Sequence, residues 1–205
     1  MTGVQTCALP ISDLPPAEAA QSLREQNFTF FFAPNYHPAF KHIAPARKLC
    51  AERKQRTIFN FLGPLLNPAR PTAQLLGVPR PELCEPLARV LQSLGLRRAM
   101  VVCGEVPGAN FQAAGGAANL AEFSTLGHTK VAEFYQERGF TVSMFDPGQF
   151  PLQPATLSDL RGGDKVANAE IIRRIVRGED RGPKREAVLL NASAALLVAG
   201  RVRSI

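Results

Sequence analysis

The chain has 205 residues, of which 45% are hydrophobic and 20% charged, and its formal net charge is +7. This length allows one domain with a substantial core, and the sequence has no run of about eighteen apolar residues that would predict a membrane span. The basic residues are scattered with few aromatic residues between them, which favours a basic surface with a site for anionic substrates over a nucleic-acid interface.

The first twelve residues differ in character from the rest of the chain. Residues 1–12 carry no charge, so they lack the basic start of a signal peptide, and they resemble the conceptual translation of a sequencing-library adapter. We therefore expect this segment to be non-native, the true coding sequence to begin upstream, and residues 13–205 to form a partial α/β domain. The cysteines form no Cys-x-x-Cys pair, which favours free thiols in a reducing compartment and a cytoplasmic protein.

The first elements predicted after this segment are a helix and a strand. Asp13–Asn27 begins near Pro15-Pro16 and is rich in alanine, a pattern typical of a helix with proline in its first turn. Phe28–Ala33 is a short run of aromatic and β-branched residues, which predicts a buried strand.

A cationic helix is predicted next. Pro38 suits the first turn of a helix, and ten positions, close to three turns, separate His37 from Arg47. Both side chains can therefore lie near one face of the helix, although Pro45 interrupts the helix and makes this geometry approximate.

The segment after this helix is a short apolar run that two proline pairs break. The breaks are Gly63-Pro64 and Asn67-Pro68, and such pairs mark loops with a fixed backbone geometry. A cationic helix followed by a rigid loop predicts the wall of a site for a small anion.

Farther along the chain, predicted strands alternate with predicted helices. The elements are a strand at Gln74–Val78, a helix at about 81–92, a strand at Ala99–Gly104 and a strand at Phe140–Asp146, while 130–137 fits a helix or a strand equally. Ala99–Gly104 is continuously apolar, as in a parallel-sheet strand that is covered on both faces. This alternation predicts an α/β fold with a mainly parallel sheet flanked by helices.

A loop and two helices complete the predicted elements. Residues 105–119 are rich in glycine and alanine but contain no GxGxxG or Walker pattern, so a surface loop is favoured over a phosphate cradle. Asp164 is the predicted N-cap of a helix at Val166–Val176. The alternative is that the N-terminus of this helix contacts a phosphate group. Lys184–Ala199 has a nearly all-apolar centre, which predicts a buried helix that Gly200 stops.

Several of these segments resemble the signature of the anthranilate phosphoribosyltransferase family. Asn35–Arg47 resembles its His-Pro-Ala helix ending in arginine, and Arg56–Pro68 resembles its Arg-Thr-Ile-Phe-Asn, Leu-Gly-Pro-Leu and Asn-Pro run. Further matches are Gln74–Val78, Leu120–Thr125, Leu160–Asp164 with Asn168, and Gly182-Pro183 with Leu189–Ala195. The likeness covers about residue 27 to the end and implies the α/β fold of the nucleoside phosphorylase/phosphoribosyltransferase superfamily.

The resemblance implies a pentosyltransferase of tryptophan biosynthesis. Such an enzyme moves the phosphoribosyl group of phosphoribosyl pyrophosphate to the amine of anthranilate and expels pyrophosphate, and its full-length form is expected to be a homodimer. The family's Gly-Thr-Gly-Gly-Asp phosphate loop and Lys-His-Gly-Asn segment do not occur in this sequence, and neither does its N-terminal helical domain. We therefore expect a fragment, truncated at both ends and inactive by itself.

The resemblance also assigns roles to individual residues. It implies that Arg47 binds the anthranilate carboxylate and that His37 contacts the amine or carboxylate, with Gly63 in the same site. It implies that Glu122 binds Mg²⁺, but Ala121 stands where the family has aspartate, so this magnesium site is expected to be impaired. No residue is assigned a catalytic role. The structural alternatives are a helix-capping arginine, a turn histidine and a solvated loop carboxylate.

Two other classes of function stay open. A pyrimidine nucleoside phosphorylase-like enzyme shares the superfamily fold, although the Arg56–Asn60 and Asn67-Pro68 matches argue against it. A non-catalytic, nucleic-acid-binding relative is suggested only by the net charge of +7, so a nucleic-acid partner is disfavoured. We expect no membrane partner.

Overall fold

A computed structural model describes residues 14–205 of the protein, apart from 54, 56 and 109–118. The chain divides into two compact units, Met1–Arg70 with Gly162–Ile171 and Pro71–Arg161 with Ile172–Ile205. The segment 1–12, Arg56 and most of the predicted loop at 105–119 lie outside the described residues. No helix in the described ranges is both long enough and apolar enough to cross a lipid bilayer.

Helices and turns make up the described residues 14–70 of the first unit. The elements are α1 (Pro16–Gln26), α2 (Ala33–Tyr36), α3 (Phe40–Glu52), a 3-10 turn (Ile58–Asn60) and α4 (Leu62–Leu65). The helix predicted at Asp13–Asn27 is confirmed as α1. Proline fixes its first turn, and Asn27 ends it in the left-handed conformation at a φ of 56°.

The strand predicted at Phe28–Ala33 is wrong. Residues 28–32 pair with no strand among the described residues, and Phe28 is 55% exposed. The Ser22 hydroxyl donates a hydrogen bond to the Phe28 carbonyl at 2.7 Å, and Phe31 packs edge-on against Tyr36. The aromatic run is thus held by local contacts, because a strand forms only where a neighbouring strand satisfies its backbone groups.

The boundaries predicted for the cationic helix are also wrong. Helix α3 begins at Phe40 rather than at Pro38, and Pro45 lies inside it instead of interrupting it. The N–H of Lys41 donates to the Pro38 carbonyl at 3.1 Å, so the residues after Pro38 form a tight turn before the helix. A proline ring in a helix removes only one backbone hydrogen bond, and the remaining bonds carry α3 through Pro45.

The two proline pairs after α3 have different structures. Gly63-Pro64 lies within the single turn of α4 rather than in a loop, since proline is tolerated where a helix N–H has no partner anyway. Asn67-Pro68 forms the predicted turn, in which the Asn67 side-chain oxygen accepts a hydrogen bond from the Ala69 N–H at 2.9 Å.

The second unit is a mixed sheet with helices on both faces. Its strands are β1 (Ala73–Gly77), β2 (Arg98–Glu105), β3 (Asn119–Leu120), β4 (Thr129–Tyr135) and β5 (Gly139–Phe145). Its helices are α5 (Cys84–Ser93), α6 (Leu157–Leu160), the end of α7 (Lys165–Val176) and α8 (Pro183–Val198). The strand order is β1-β2-β4-β5, with β3 paired to β2, so the predicted α/β class is confirmed.

The direction of the strands corrects one part of that prediction. Strands β1 and β2 are parallel, whereas the β2·β3, β2·β4 and β4·β5 pairs are antiparallel. Helix α5 provides the crossover that a parallel pair needs, but only residues 136–138 join β4 to β5, and so short a turn permits antiparallel pairing alone. The sheet is therefore mixed, where the sequence predicts a mainly parallel one.

The core lies on both faces of β2. On one face Met100 and Val102 pack against α8 through a cluster that also contains Phe123, Val131, Leu190, Ala194 and Val198. On the other face α5 contacts β2 and β4, and its Cys84, Ala88 and Leu91 are fully buried. The predicted burial of Ala99–Gly104 is confirmed. Helix α8 buries only one stripe, because its Val188, Leu189 and Leu196 are each 45–49% exposed.

Candidate functional site

His37 and Gly63 line one recess of the first unit. His37 follows the last residue of α2, where its N–H donates to the Ala33 carbonyl at 3.1 Å, and its ring stacks on Phe40 with centroids 5.1 Å apart. The recess has a volume of about 180 Å³, and its other lining residues are Phe31, Ala33, Tyr36, Pro64, Asn67 and Pro68. An aromatic wall and a histidine in a small recess suit a flat ring with a polar substituent.

Arg47 lines a different recess of the same unit. This recess has a volume of about 340 Å³, and its other lining residues are Ala44, Lys48, Cys50, Ala51, Gln55 and Thr57. The sequence places His37 and Arg47 on one helix face, but His37 precedes α3, and the two side chains do not line the same recess. The structure thus brings together His37 and Gly63, and it places Arg47 apart from them.

The surroundings of Arg47 suit an anion. Arg47 is half-buried, and Lys48 on the same helix adds a second positive charge. A planar guanidinium donates two parallel hydrogen bonds to a carboxylate, and an adjacent ammonium group raises the local potential for an anion. This recess is therefore the stronger candidate for holding a carboxylate.

Glu122 belongs to the second unit, in a loop that crosses the carboxyl ends of β1 and β2. This loop presses so closely on both strands that only glycine fits beneath it. A Cβ atom at Gly77 would lie 1.6 Å from the Ala121 carbonyl oxygen, and one at Gly104 would lie 2.6 Å from the Glu122 carbonyl oxygen. The carboxyl ends of parallel strands are where open α/β sheets bind ligands.

Hydrogen bonds from α8 and β4 fix this loop. The Asn191 side chain accepts from the Phe123 N–H at 2.8 Å and donates to the Phe123 carbonyl at 3.1 Å and the Ala187 carbonyl at 2.9 Å. The Thr129 hydroxyl accepts from the Ser124 N–H at 2.9 Å, and both side chains are fully buried. No pattern in the sequence assigns a role to Asn191, and its place in a matched family segment is the signal that singles it out.

Burial also sets the electrostatics of Glu122. Desolvation raises the pKa of the Glu122 carboxyl above its ordinary value, so a positive partner would favour its ionised form. Ala121 beside it is exposed and offers no side-chain oxygen. Within the described ranges no three His, Cys, Asp or Glu side chains are grouped to hold a metal ion. Glu122 therefore fits Mg²⁺ only if the ion takes most of its ligands from substrate phosphates and water.

A larger recess in the second unit contains none of the predicted site residues. Its volume is about 580 Å³, and its lining includes Glu105, Thr125, His128 and Asp146. The His128 ring lies between two carboxylates, with Nδ1 3.8 Å from Glu105 Oε2 and Nε2 3.9 Å from Asp146 Oδ1. Both distances exceed those of hydrogen bonds, and all three side chains are about half exposed, so these contacts are weak.

The Gly-Gly-Asp turn has the predicted helix cap. The Asp164 side chain accepts a hydrogen bond from the Ala167 N–H at 2.9 Å, which makes Asp164 the N-cap of α7. The buried Asn168 side chain accepts from the Gly163 N–H at 2.8 Å and donates to the Gly163 carbonyl at 2.9 Å. The capped helix is confirmed, while the phosphate contact stays a prediction.

Comparison with known proteins gives a consistent set of relatives. The model of the glycosyl transferase family, a/b domain, matches residues 6–205. An anthranilate phosphoribosyltransferase from Lacticaseibacillus casei is 47% identical over 184 residues, which is 90% of this chain and 49% of the relative. The chain thus spans about half the length of the curated relatives that it matches.

Solved structures give the same picture of the fold. The crystal structure of anthranilate phosphoribosyltransferase from Thermus thermophilus aligns with a TM-score of 0.76 and 37% identity, covering 98% of this chain and 54% of that one. Two structures of the Saccharomyces cerevisiae enzyme, one in complex with 4-fluoroanthranilate and one a variant with Mg bound, align with TM-scores of 0.76 and 0.75. Both cover nearly the whole of this chain, 98% and 97%, and about half of their own chains, 53% and 52%. Because each is only 23% identical to this chain, this likeness shows the fold alone.

Proposed function

The chain belongs to the glycosyl transferase family whose a/b domain it matches, and from that membership we propose that it serves the transfer of a phosphoribosyl group to anthranilate. The donor is phosphoribosyl pyrophosphate, and the step belongs to tryptophan biosynthesis. The observation that carries the proposal is the 47% identity with an anthranilate phosphoribosyltransferase over 90% of this chain. The same membership supports a cytoplasmic location and a homodimeric full-length protein.

The proposed contribution of the first unit is recognition of anthranilate. Arg47 takes the carboxylate through two charge-assisted hydrogen bonds, with Lys48 strengthening the positive potential of the same recess. His37 and Gly63 line a separate recess, and its aromatic lining suits a flat ring with a polar substituent. These residues bind and orient the acceptor, and none of them is assigned a proton transfer.

A binding titration tests this assignment. We expect the purified chain to bind anthranilate and Arg47→Ala to weaken that binding by about 2–4 kcal/mol, a factor of about 30 to 900. Lys48→Ala is the matched control, because it removes a positive charge from the next position and the same recess, and it should weaken binding less than tenfold. Equal losses in the two variants, or no saturable binding by the unaltered chain, would contradict the role of Arg47.

The proposed role of Glu122 is to hold Mg²⁺ together with substrate phosphates. When bound, the ion would neutralise negative charge on the departing pyrophosphate. Glu122 supplies one carboxylate from a fixed loop, and Ala121 supplies none, so we propose that the metal site of this chain is weak.

Manganese binding tests the magnesium site without an activity assay. Mn²⁺ titrations followed by electron paramagnetic resonance, with inorganic pyrophosphate present, should show at least tenfold tighter binding in Ala121→Asp than in the unaltered chain. Glu122→Gln should weaken binding, because an amide lacks the charge that a hard cation requires. If neither substitution changes the titration, the loop does not bind metal and the family role does not apply here.

A further inference from the structure

Strand β5 leaves one edge of the sheet open. It ends the strand order β1-β2-β4-β5, and no described residue pairs with its outer side. Gly139–Phe145 contains no charged residue and no proline, which are the features that usually protect an edge strand from pairing. The outer backbone N–H and C=O groups of β5 are therefore available to another strand.

The apolar side chains of β5 are open on the face that also carries α5. The Arg89 guanidinium from α5 lies over the Phe140 ring at 4.3 Å, which places Phe140 on that face. Val142 and Met144 follow on the same face by the alternation of a strand, and they are 42% and 61% exposed. A partner strand would continue this apolar row.

We propose that β5 pairs antiparallel with β5 of a second copy of the chain, about a two-fold axis at Val142. In this register Val142 lies opposite its own copy, and Phe140 lies opposite Met144 of the second copy. The other pairs are Thr141 with Ser143 and Gly139 with Phe145. Cross-strand pairs of two β-branched residues, of two hydroxyl residues, or of a sulfur atom with an aromatic ring all stabilise strand pairing.

The charges that flank β5 select the same register. Arg138 precedes the strand and Asp146 follows it, so the two-fold axis at Val142 places Arg138 of each copy opposite Asp146 of the other. Both groups are accessible: Arg138 is exposed and lies over the Tyr135 ring at 5.8 Å, and the Asp146 side chain is 46% exposed. A shift of the register by two residues breaks both charge pairs, so complementarity occurs in one arrangement.

The length of the contact predicts a weak dimer. A seven-residue strand extends over roughly 24 Å, and an edge contact of that length buries less area than a standard protein interface. Sedimentation velocity on the chain should therefore show a mass of 22.2 kDa in dilute solution that approaches twice this value as concentration rises. The contact is independent of the proposed function.

An exchange of charges between copies tests the register. Arg138→Glu and Asp146→Lys should each weaken self-association at least tenfold, because each places like charges opposite one another. In an equimolar mixture of the two variants, the introduced glutamate faces the introduced lysine, and the unaltered Arg138 faces the unaltered Asp146. The mixture should therefore dimerise as strongly as the unaltered chain. A folding defect in either variant would not be repaired by mixing.

A second pair of variants tests the strand itself. Val142→Lys places two ammonium groups at the axis and should leave the chain monomeric, whereas Val142→Thr keeps a β-branched residue and should dimerise. Circular dichroism checks that all variants keep the fold. The proposal is overturned if the unaltered chain stays monomeric at all concentrations, if Val142→Lys still dimerises, or if the mixed charge variants remain as monomeric as each alone.

Discussion

Asn191→Leu provides a sharp test of how the Glu122 loop is fixed. The substitution keeps the approximate volume of the side chain but removes its hydrogen bonds to the Phe123 N–H, the Phe123 carbonyl and the Ala187 carbonyl. Phe123 is 1% exposed, so water cannot readily replace the bonds to its backbone. Two buried backbone groups would lose their partners, while the Ala187 carbonyl keeps its place within α8.

The expected cost follows from those two groups. Leaving a buried donor or acceptor without a partner costs about 1–3 kcal/mol, so the free energy of unfolding should fall by about 2–4 kcal/mol after partial relaxation. This is a large fraction of a typical domain stability of about 5–15 kcal/mol. Urea unfolding followed by far-UV circular dichroism measures the loss, and hydrogen exchange should show faster exchange of the amides in residues 121–127.

Ser193→Ala is the matched control for this prediction. Ser193 lies two residues along the same helix and is half-buried, but it makes no bond to the loop, so its substitution should change the free energy of unfolding by less than about 0.5 kcal/mol. Asn191→Asp keeps an acceptor for the Phe123 N–H and should have an intermediate effect. If Asn191→Leu is as stable as the unaltered chain, or if loop exchange does not change, Asn191 does not fix the loop.

Three further predictions concern thiols, a helix cap and activity. Burial raises the pKa of the Cys84 and Cys103 thiols from 9.0 to about 11 and about 12, so a thiol reagent at pH 9 should modify the half-buried Cys50 and spare both. These folded-state pKa values exceed the unfolded ones, so the stability that the neutral thiols contribute is present below about pH 9 and lost as pH rises towards 11–12. Cys103→Ala should reduce this pH-dependent loss of stability in thermal melts. Asp164→Ala should lower the free energy of unfolding by about 1 kcal/mol in urea titrations, since it removes the cap of α7. The chain alone should release no pyrophosphate in the presence of anthranilate and phosphoribosyl pyrophosphate, because the sequence lacks the family's phosphate loop, and measurable release would contradict this expectation.

Elements whose causes are local can be predicted from the amino-acid sequence alone. The apolar run Ala99–Gly104 identifies a strand covered on both faces, and Asp164 identifies the start of a helix, because each pattern acts within a few residues of itself. The family motifs between Asn35 and Pro68 likewise identify the relatives, since they are continuous in the chain. Residues 130–137 fitted a helix or a strand equally, and only their pairing with β2 and β5 makes β4 a strand.

Features that depend on residues distant in the chain follow only from the folded structure. Phe28–Phe32 has the composition of a strand but no strand beside it in the described residues, and the sheet is mixed because connection length sets the direction of each pair. His37 and Arg47 line different recesses because α3 begins at Phe40, which their spacing alone does not reveal. The hydrogen bonds between the Asn191 side chain and the Phe123 backbone join residues 68 positions apart, so no local sequence pattern predicts them. Local propensity acts over a few residues, whereas strand partners, burial and side-chain clamps are set by contacts that exist only once the chain has folded.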